Sequence, residues 1–304
     1  MIRTTFLPTY PRAGYRWPVI KRRSVRLATL VASAVTVTTA CSPPWAEDTA
    51  ATADTTAAAA AAALRCTVPQ VIGHRGTPQD ENTLRGLRDA AKAGVSGVEF
   101  DVWWTRDGVP VLSHDPTVDR TTTGHGPIAA MTAPQVRALR TKRGEPVPTL
   151  KEALSFTAAR RLTAMVELKP TPTPAQLHSL LTVIRATGAA PYVVVHSFNA
   201  DAVQTVQRAA PELHTALTHE KTEITGKEAA RYGTSLNVSR FLVTPSTVRD
   251  WHSAGLKVYT WTANWPPAWE KAKASGVDAV LTDRVKPYKE WARTACDPTA
   301  TAAP

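Results

Sequence analysis

The chain is 304 residues long and 43% hydrophobic, ample for one domain with a buried core and too short for an elaborate second one. Its 36 Lys/Arg against 25 Asp/Glu give a net charge of +11 and a pI near 9.8, a balance that raises the question of nucleic acid. Seven of those bases (Arg3, Arg12, Arg16, Lys21, Arg22, Arg23 and Arg26) lie in residues 1–41, which hold no acid, and the remaining +4 supplies no basic stripe of the kind duplex binding requires.

The first elements in the chain are read as export signals. Lys21-Arg22-Arg23-Ser24-Val25-Arg26 precedes the apolar run 27–40, which at 14 residues fits a signal-peptide core and is short for a spanning helix. Residues 1–41 therefore predict export, with the product secreted or anchored to the outer face of the cell membrane. The run closes on Thr38-Thr39-Ala40-Cys41-Ser42, which resembles a lipoprotein cleavage site except that Thr38 stands where leucine is usual. Lipidation of Cys41 and ordinary cleavage near Ala40 are both open, and only the first attaches the protein to a membrane. Residues 42–65, rich in alanine and threonine, read as a low-complexity linker, and 297–304 as a disordered tail.

Between these flanks, residues 66–296 show alternating strand and helix patterns. Apolar strand candidates fall near 71–74, 97–103, 162–168, 192–198, 214–218, 240–244, 257–262 and 279–282. Helical character falls between several of them, at 83–93, 150–159, 174–187, 200–209 and 266–274. Eight strands alternating with helices predict an α/β fold of the TIM-type (β/α)8 barrel class. Thr105-Arg106-Asp107-Gly108 is a turn signal between 97–104 and 109–114, so a small hairpin is inserted after the second strand. The glycine- and threonine-containing loop 116–147 is the candidate lid or specificity element.

Chemistry concentrates near the ends of the strands. Side chains alternate faces along a strand, so Glu99 and Asp101 share a face while Val98, Phe100 and Val102 share the other. Val166-Glu167-Leu168-Lys169 and Val71-Ile72-Gly73-His74-Arg75 likewise end apolar runs in charge. The hairpin returns His114 to about the level of Asp101. Polar C-terminal strand ends are where a parallel barrel builds its active site. Three carboxylates without a Cys/His cluster favour a hard cation, Ca2+ or Mg2+. Two histidines suit proton transfer to and from the reacting oxygens, each such group contributing about 100- to 10,000-fold. Arg75 and Lys169 add phosphate-binding charge. The constellation points to metal-assisted phosphodiester hydrolysis. Asp80 and Thr83 suit a helix start, so Glu81 is divided between a capping and a site role. Trp261 is read as a pocket wall, and no role is read for His125, His196 or His252.

The same residues resemble the glycerophosphodiester phosphodiesterase family. The likeness covers nearly all of 70–290: His74-Arg75-Gly76, Glu81-Asn82-Thr83, Val98-Glu99-Phe100-Asp101-Val102, the 105–108 turn through His114-Asp115, Pro148-Thr149-Leu150, Val166-Glu167-Leu168-Lys169, Ser197-Phe198, Trp261-Thr262-Ala263-Asn264, and Gly276-Val277-Asp278 through Thr282-Asp283. One departure is Asp80, where the family usually has proline. The resemblance implies a barrel that hydrolyses glycerophosphodiesters to glycerol 3-phosphate and an alcohol with a divalent cation. By residue it implies His74 and His114 as the acid/base pair, Glu99, Asp101 and Glu167 as metal ligands, and Arg75 and Lys169 as phosphate contacts. Glu81 and Asn82 would stand behind them. Which histidine is the base is open, with His74 preferred, as is whether water or a substrate hydroxyl attacks.

Processing at Cys41 leaves Cys66 and Cys296 at the two ends of the domain, which a closed barrel brings together, so a disulfide is expected after export. The expected partner is a small-molecule substrate, with no protein partner inferred. Two other readings use the same residues: a related phospholipase D acting on lysophospholipids or sphingolipids, and a non-catalytic phosphodiester-binding protein.

Overall fold

The computed structural model describes residues 67–297. In chain order its elements are β1 (Gln70–Gly73), α1 (Leu84–Lys92), β2 (Gly97–Trp104), β3 (Pro110–Leu112), α2 (Ala133–Ala138), α3 (Leu150–Ala158), β4 (Thr163–Leu168), α4 (Pro174–Ala186), β5 (Val193–Ser197), α5 (Ala200–Ala209), β6 (His214–His219), α6 (Gly226–Ala229), β7 (Ser235–Ser239), α7 (Pro245–Ser253), β8 (Lys257–Trp261), α8 (Pro266–Ser275), β9 (Ala279–Thr282) and α9 (Val285–Thr294). All the strands except β3 are parallel, and β1 pairs with both β2 and β9, which closes an eight-stranded TIM barrel. β3 folds back antiparallel on β2, with Val102 opposite Leu112 and Trp104 opposite Pro110, so the hairpin lies where its turn sequence put it.

The period-2 pattern sorts the strands into two cores. Val98, Phe100, Val102 and Trp104 of β2, Ala164, Val166 and Leu168 of β4, and Val193 and Val195 of β5 face the helices. Full burial of a side chain such as Phe100 contributes about 2–3 kcal/mol. The alternate residues point into the barrel, where Ile72, Met165, Val194, Ala216, Tyr259, Ala279 and Leu281 pack the interior. Continuing each strand by one inward step gives Glu99 or Asp101, Glu167, His196, Thr218, Asn237 and Trp261. The apolar packing thus gives way to a polar end, as inward residues of a parallel barrel do at its catalytic face.

Helix starts follow local chemistry. Thr149 and Thr173 form capping boxes with Glu152 and Gln176, and Thr83 caps α1 by accepting from the Gly86 N–H. One strand lies elsewhere than its pattern predicts: 240–244 is the turn leading to the Thr244 cap of α7, and the seventh barrel strand is Ser235–Ser239. Its Ser235, Asn237 and Ser239 face inward, so it lacks the apolar run that marks its neighbours. The 116–147 segment, which includes α2, makes ion pairs with the barrel: Glu145 binds Arg85 and Arg88, Arg143 lies 3.3 Å from Asp80, and Arg137 pairs with Glu152. Among the described residues no helix is long and apolar enough to cross a membrane. Cys41, Cys66, the signal segment 1–41 and the linker 42–65 lie outside the described residues, as does the tail beyond Asp297. Cys296, after α9, is disulfide-bonded.

Candidate active site

Three buried acids form the floor of the polar end. Ladder register sets Asp101 of β2 beside Glu167 of β4, and Glu167 beside His196 of β5. Glu99, Glu167 and His196 offer ligand atoms all within 4.8 Å of one another, a group among the described residues that could hold a metal ion. Glu99 Oε1 and His196 Nε2 are buried without a hydrogen-bond partner. Burial, and then the Asp101 charge, push the Glu99 carboxyl up to about 8. Burial and Asp101 raise Glu167 as well. Burial and the Lys169 charge lower His196 to about 3, which leaves a neutral imidazole able to donate a lone pair. Orphaned donor atoms and acids that resist ionisation are relieved by a divalent cation, so the residues fit one.

Asp101 is arranged differently. Its Oδ1 lies 2.8 Å from Lys169 Nζ, its Oδ2 accepts from Asn82 Nδ2 at 2.7 Å, and Arg75 Nε stands 3.3 Å from Oδ2. Burial alone would raise it, but Lys169 and Arg75 hold it below the usual carboxylate range. Lys169 also reaches Glu167 at 2.5 Å. The two cations expected to hold phosphate therefore already touch the buried acids.

Two residues adopt left-handed backbone to reach this floor. Arg75 (φ 53°) and Asn82 (φ 56°) lie in a region that costs side-chain-bearing residues energy, a cost that recurs at functional sites. The turn at Arg75 aims its N–H at Glu99 Oε2, 2.8 Å away. Gly76 (φ 79°) continues it, and a Cβ there would stand 2.7 Å from the Gly86 carbonyl carbon of α1, so only glycine fits. Asn82 accepts from the Asp101 N–H at 3.0 Å, a donor that β1, ending at Gly73, cannot reach.

His74 and His114 both open on the same cavity, and each is held by a carboxylate on Nδ1. His74 lies 2.7 Å from Asp283 Oδ1, whose other oxygen accepts from Asn264 at 2.6 Å. His114 lies 2.7 Å from Asp115 Oδ1, whose other oxygen is 2.5 Å from Arg120. This leaves each Nε2 for the cavity, with His74 Nε2 4.0 Å from Glu99. Burial opposes a charge on His74, but the bond to Asp283 and the nearby Glu99 raise its pKa. The Arg120 bond, followed by that of His114, lowers Asp115 to about 2.

The cavity, about 150 Å3, is lined by both histidines, Arg75, Glu99, Glu167, Lys169, His196 and Trp261. Trp261 packs edge-on to Phe198 at 5.2 Å and forms one wall. A larger cleft of about 670 Å3, bordered by 77–80, Arg143 and 283–287, contains neither histidine and none of the three acids. Size alone would pick the wrong site, because catalysis needs convergent groups rather than volume. Glu81 does not cap α1, a role Thr83 takes; its carboxylate accepts from Arg120 at 2.6 Å and lies 3.9 Å from Arg75. Sequence alone assigned no role to His196, nor to Asn264 and Asp283, which stand in the motifs that carry the resemblance, and it did not single out Arg120. For His196 a signal existed, since it ends an apolar strand two residues after inward-facing Val194, the pattern that marks Glu167.

Residues 73–286 match the glycerophosphoryl diester phosphodiesterase family. Glycerophosphodiester phosphodiesterase 1 of Mus musculus is 32% identical over 241 residues, covering 64% of this chain and 71% of that protein. The glycerophosphodiester phosphodiesterase of Caldanaerobacter subterraneus subsp. tengcongensis is 29% identical over 226 residues, covering 70% and 93%. Among solved structures, an Oleispira antarctica phosphodiesterase in complex with the product sn-glycerol-3-phosphate superposes with a TM-score of 0.67 at 27% identity, covering 74% of this chain and 97% of that one.

Proposed function

The chain belongs to the glycerophosphoryl diester phosphodiesterase family, and from that premise we propose that it hydrolyses a glycerophosphodiester to glycerol 3-phosphate and the free alcohol, with His74 as general base and His114 as general acid. The observation that carries the reading is the pair of imidazoles, each fixed on Nδ1 by a carboxylate 2.7 Å away and each opening on a cavity floored by buried acids. Anchoring at Nδ1 fixes the tautomer and leaves Nε2 to take or give the proton.

In this reading Glu99 and Glu167 hold Ca2+ or Mg2+, with Asp101 or His196 completing the set. When bound, the cation supplies Lewis-acid polarisation of the phosphoryl oxygens and charge balance for the acids. Arg75 presents planar donors to the phosphate and Lys169 a point charge, while Trp261 walls the substrate and keeps water from that side. His74 draws the proton from the attacking oxygen and His114 protonates the departing alkoxide.

Around the domain, the same proposal includes export through residues 1–41, attachment through a lipidated Cys41 or release by cleavage, and a disulfide from Cys296 to Cys66.

A second substrate class, lysophospholipids, is favoured by one observation. Phe198, Phe241 and Trp265 are exposed large apolar side chains in the loops after β5, β7 and β8, at the cavity end of the barrel. Such a rim would receive a single acyl chain.

The test is release of glycerol 3-phosphate from glycerophosphocholine and glycerophosphoethanolamine with Ca2+, Mg2+ or chelator, beside His74→Ala and His114→Ala. Cation-dependent release lost in both variants supports the reading. No release by folded, cation-loaded wild type refutes the glycerophosphodiester assignment, and choline release from lysophosphatidylcholine then decides for the second class. An ester with a good leaving group assigns the roles, because it should restore turnover to the acid variant and not to the base variant.

A further inference from the structure

We propose that Arg120 is a positioning residue of the active site, holding His114 in its working orientation through Asp115; the inference rests on the reading that His114 transfers a proton. Arg120 lies in the loop after β3 and does not line the cavity. Its Nε donates to Asp115 Oδ2 at 2.5 Å and its terminal NH2 to Glu81 Oε1 at 2.6 Å. The other oxygen of Asp115 meets His114 Nδ1. Both oxygens of Asp115 are thus occupied, one by the imidazole and one by the guanidinium, and the carboxylate cannot rotate without breaking a charged hydrogen bond.

The arrangement needs a third group for a reason of chain geometry. Successive side chains along extended backbone point to opposite faces, so no regular backbone aims an aspartate at the histidine just before it. Asp283 has no such difficulty with His74, since it comes from the far side of the barrel closure and is fixed by Asn264. Arg120 does for the His114 pair what Asn264 does for the His74 pair. It also ties that pair to the β1–α1 loop, because the Glu81 oxygen it binds is the one that faces Arg75. The Arg120 side chain is 48% exposed, and ion pairs this open contribute little to folding. Its removal should therefore act on orientation and leave the fold intact.

The experiment compares wild type with Arg120→Ala, Arg120→Lys, Asp115→Asn and the Arg120→Ala/Asp115→Asn pair in the full chain, with glycerophosphocholine and cation. Misplacing a proton-transfer group costs about 100-fold. Arg120→Ala should lower kcat by about that factor with KM changed less than about two-fold and an unchanged melting temperature. Arg120→Lys should fall between, and added guanidinium salt should rescue the alanine variant. The double variant should be no slower than Asp115→Asn, since both act on one histidine. Nitrogen-15 NMR of the imidazole, at a pH high enough to make the ring neutral, gives a readout independent of turnover: a single Nδ1-protonated tautomer for His114 in wild type and a tautomer mixture in Arg120→Ala. Wild-type kcat in Arg120→Ala, a loss confined to KM, additive losses in the double variant, or an unaltered His114 tautomer would each overturn the proposal. If wild type turns over no glycerophosphodiester, the functional reading fails and the NMR comparison decides the role of Arg120 alone.

Discussion

Asn82→Ala isolates how the chain positions its buried acids. Asn82 is 4% exposed, sits at φ 56°, donates to Asp101 Oδ2 and accepts from the Asp101 N–H. Losing a hydrogen bond to a buried charged group costs about 1.5–3 kcal/mol, and an alanine held in left-handed backbone costs about 1–2 kcal/mol. A combined loss of about 2.5–5 kcal/mol follows, or roughly 5–20 °C in melting temperature for a domain of this size. Asn82→Gly loses the same two hydrogen bonds without the steric strain but with more unfolded-chain entropy, so it should be about 0.5–1 kcal/mol more stable than Asn82→Ala. Urea denaturation of the three proteins in chelator measures both differences. Equal stability of the alanine and glycine variants would refute the strain argument, and an alanine variant as stable as wild type would refute the hydrogen-bond argument.

Other predictions rest on the charges around that floor. In chelator, burial raises Glu99 from 4.5 to about 8, so its contribution to stability is fully present below pH 4.5 and is lost as the pH rises through about 8. Glu99→Gln should flatten the decline measured by denaturation between about pH 5 and 8, and parallel curves for the two proteins would count against the raised carboxyl. Divalent cation at about 100 times its dissociation constant should stabilise wild type by about 2.7 kcal/mol in the same assay. His196→Ala should weaken that binding, and an unaltered cation titration would remove His196 from the ligand set. Asp283→Ala frees His74 Nδ1 and should lower kcat about 100-fold with little change in KM, read in the glycerol 3-phosphate assay.

Much of this site could be read along the chain because it rests on local periods. A repeat of two puts Glu99 and Asp101 on one face of β2, a turn sequence returns β3 toward them, and threonine caps start the helices; each depends on residues a few positions apart. The Ser235–Ser239 strand escaped because its inward residues are polar, whereas the more apolar 240–244 segment is a turn. Three features were decided by tertiary structure. Register across parallel strands set Glu167 between Asp101 and His196, so the histidine that the period of β5 turns inward meets the acids only through the ladder. Barrel closure brought Asp283 to His74 across more than two hundred residues. The loop after β3 folded back to lay Arg120 on Asp115 and Glu81. Local sequence fixes which way a side chain points from its own backbone, but which charges meet depends on ladder register and closure, and these are set by packing of the whole barrel.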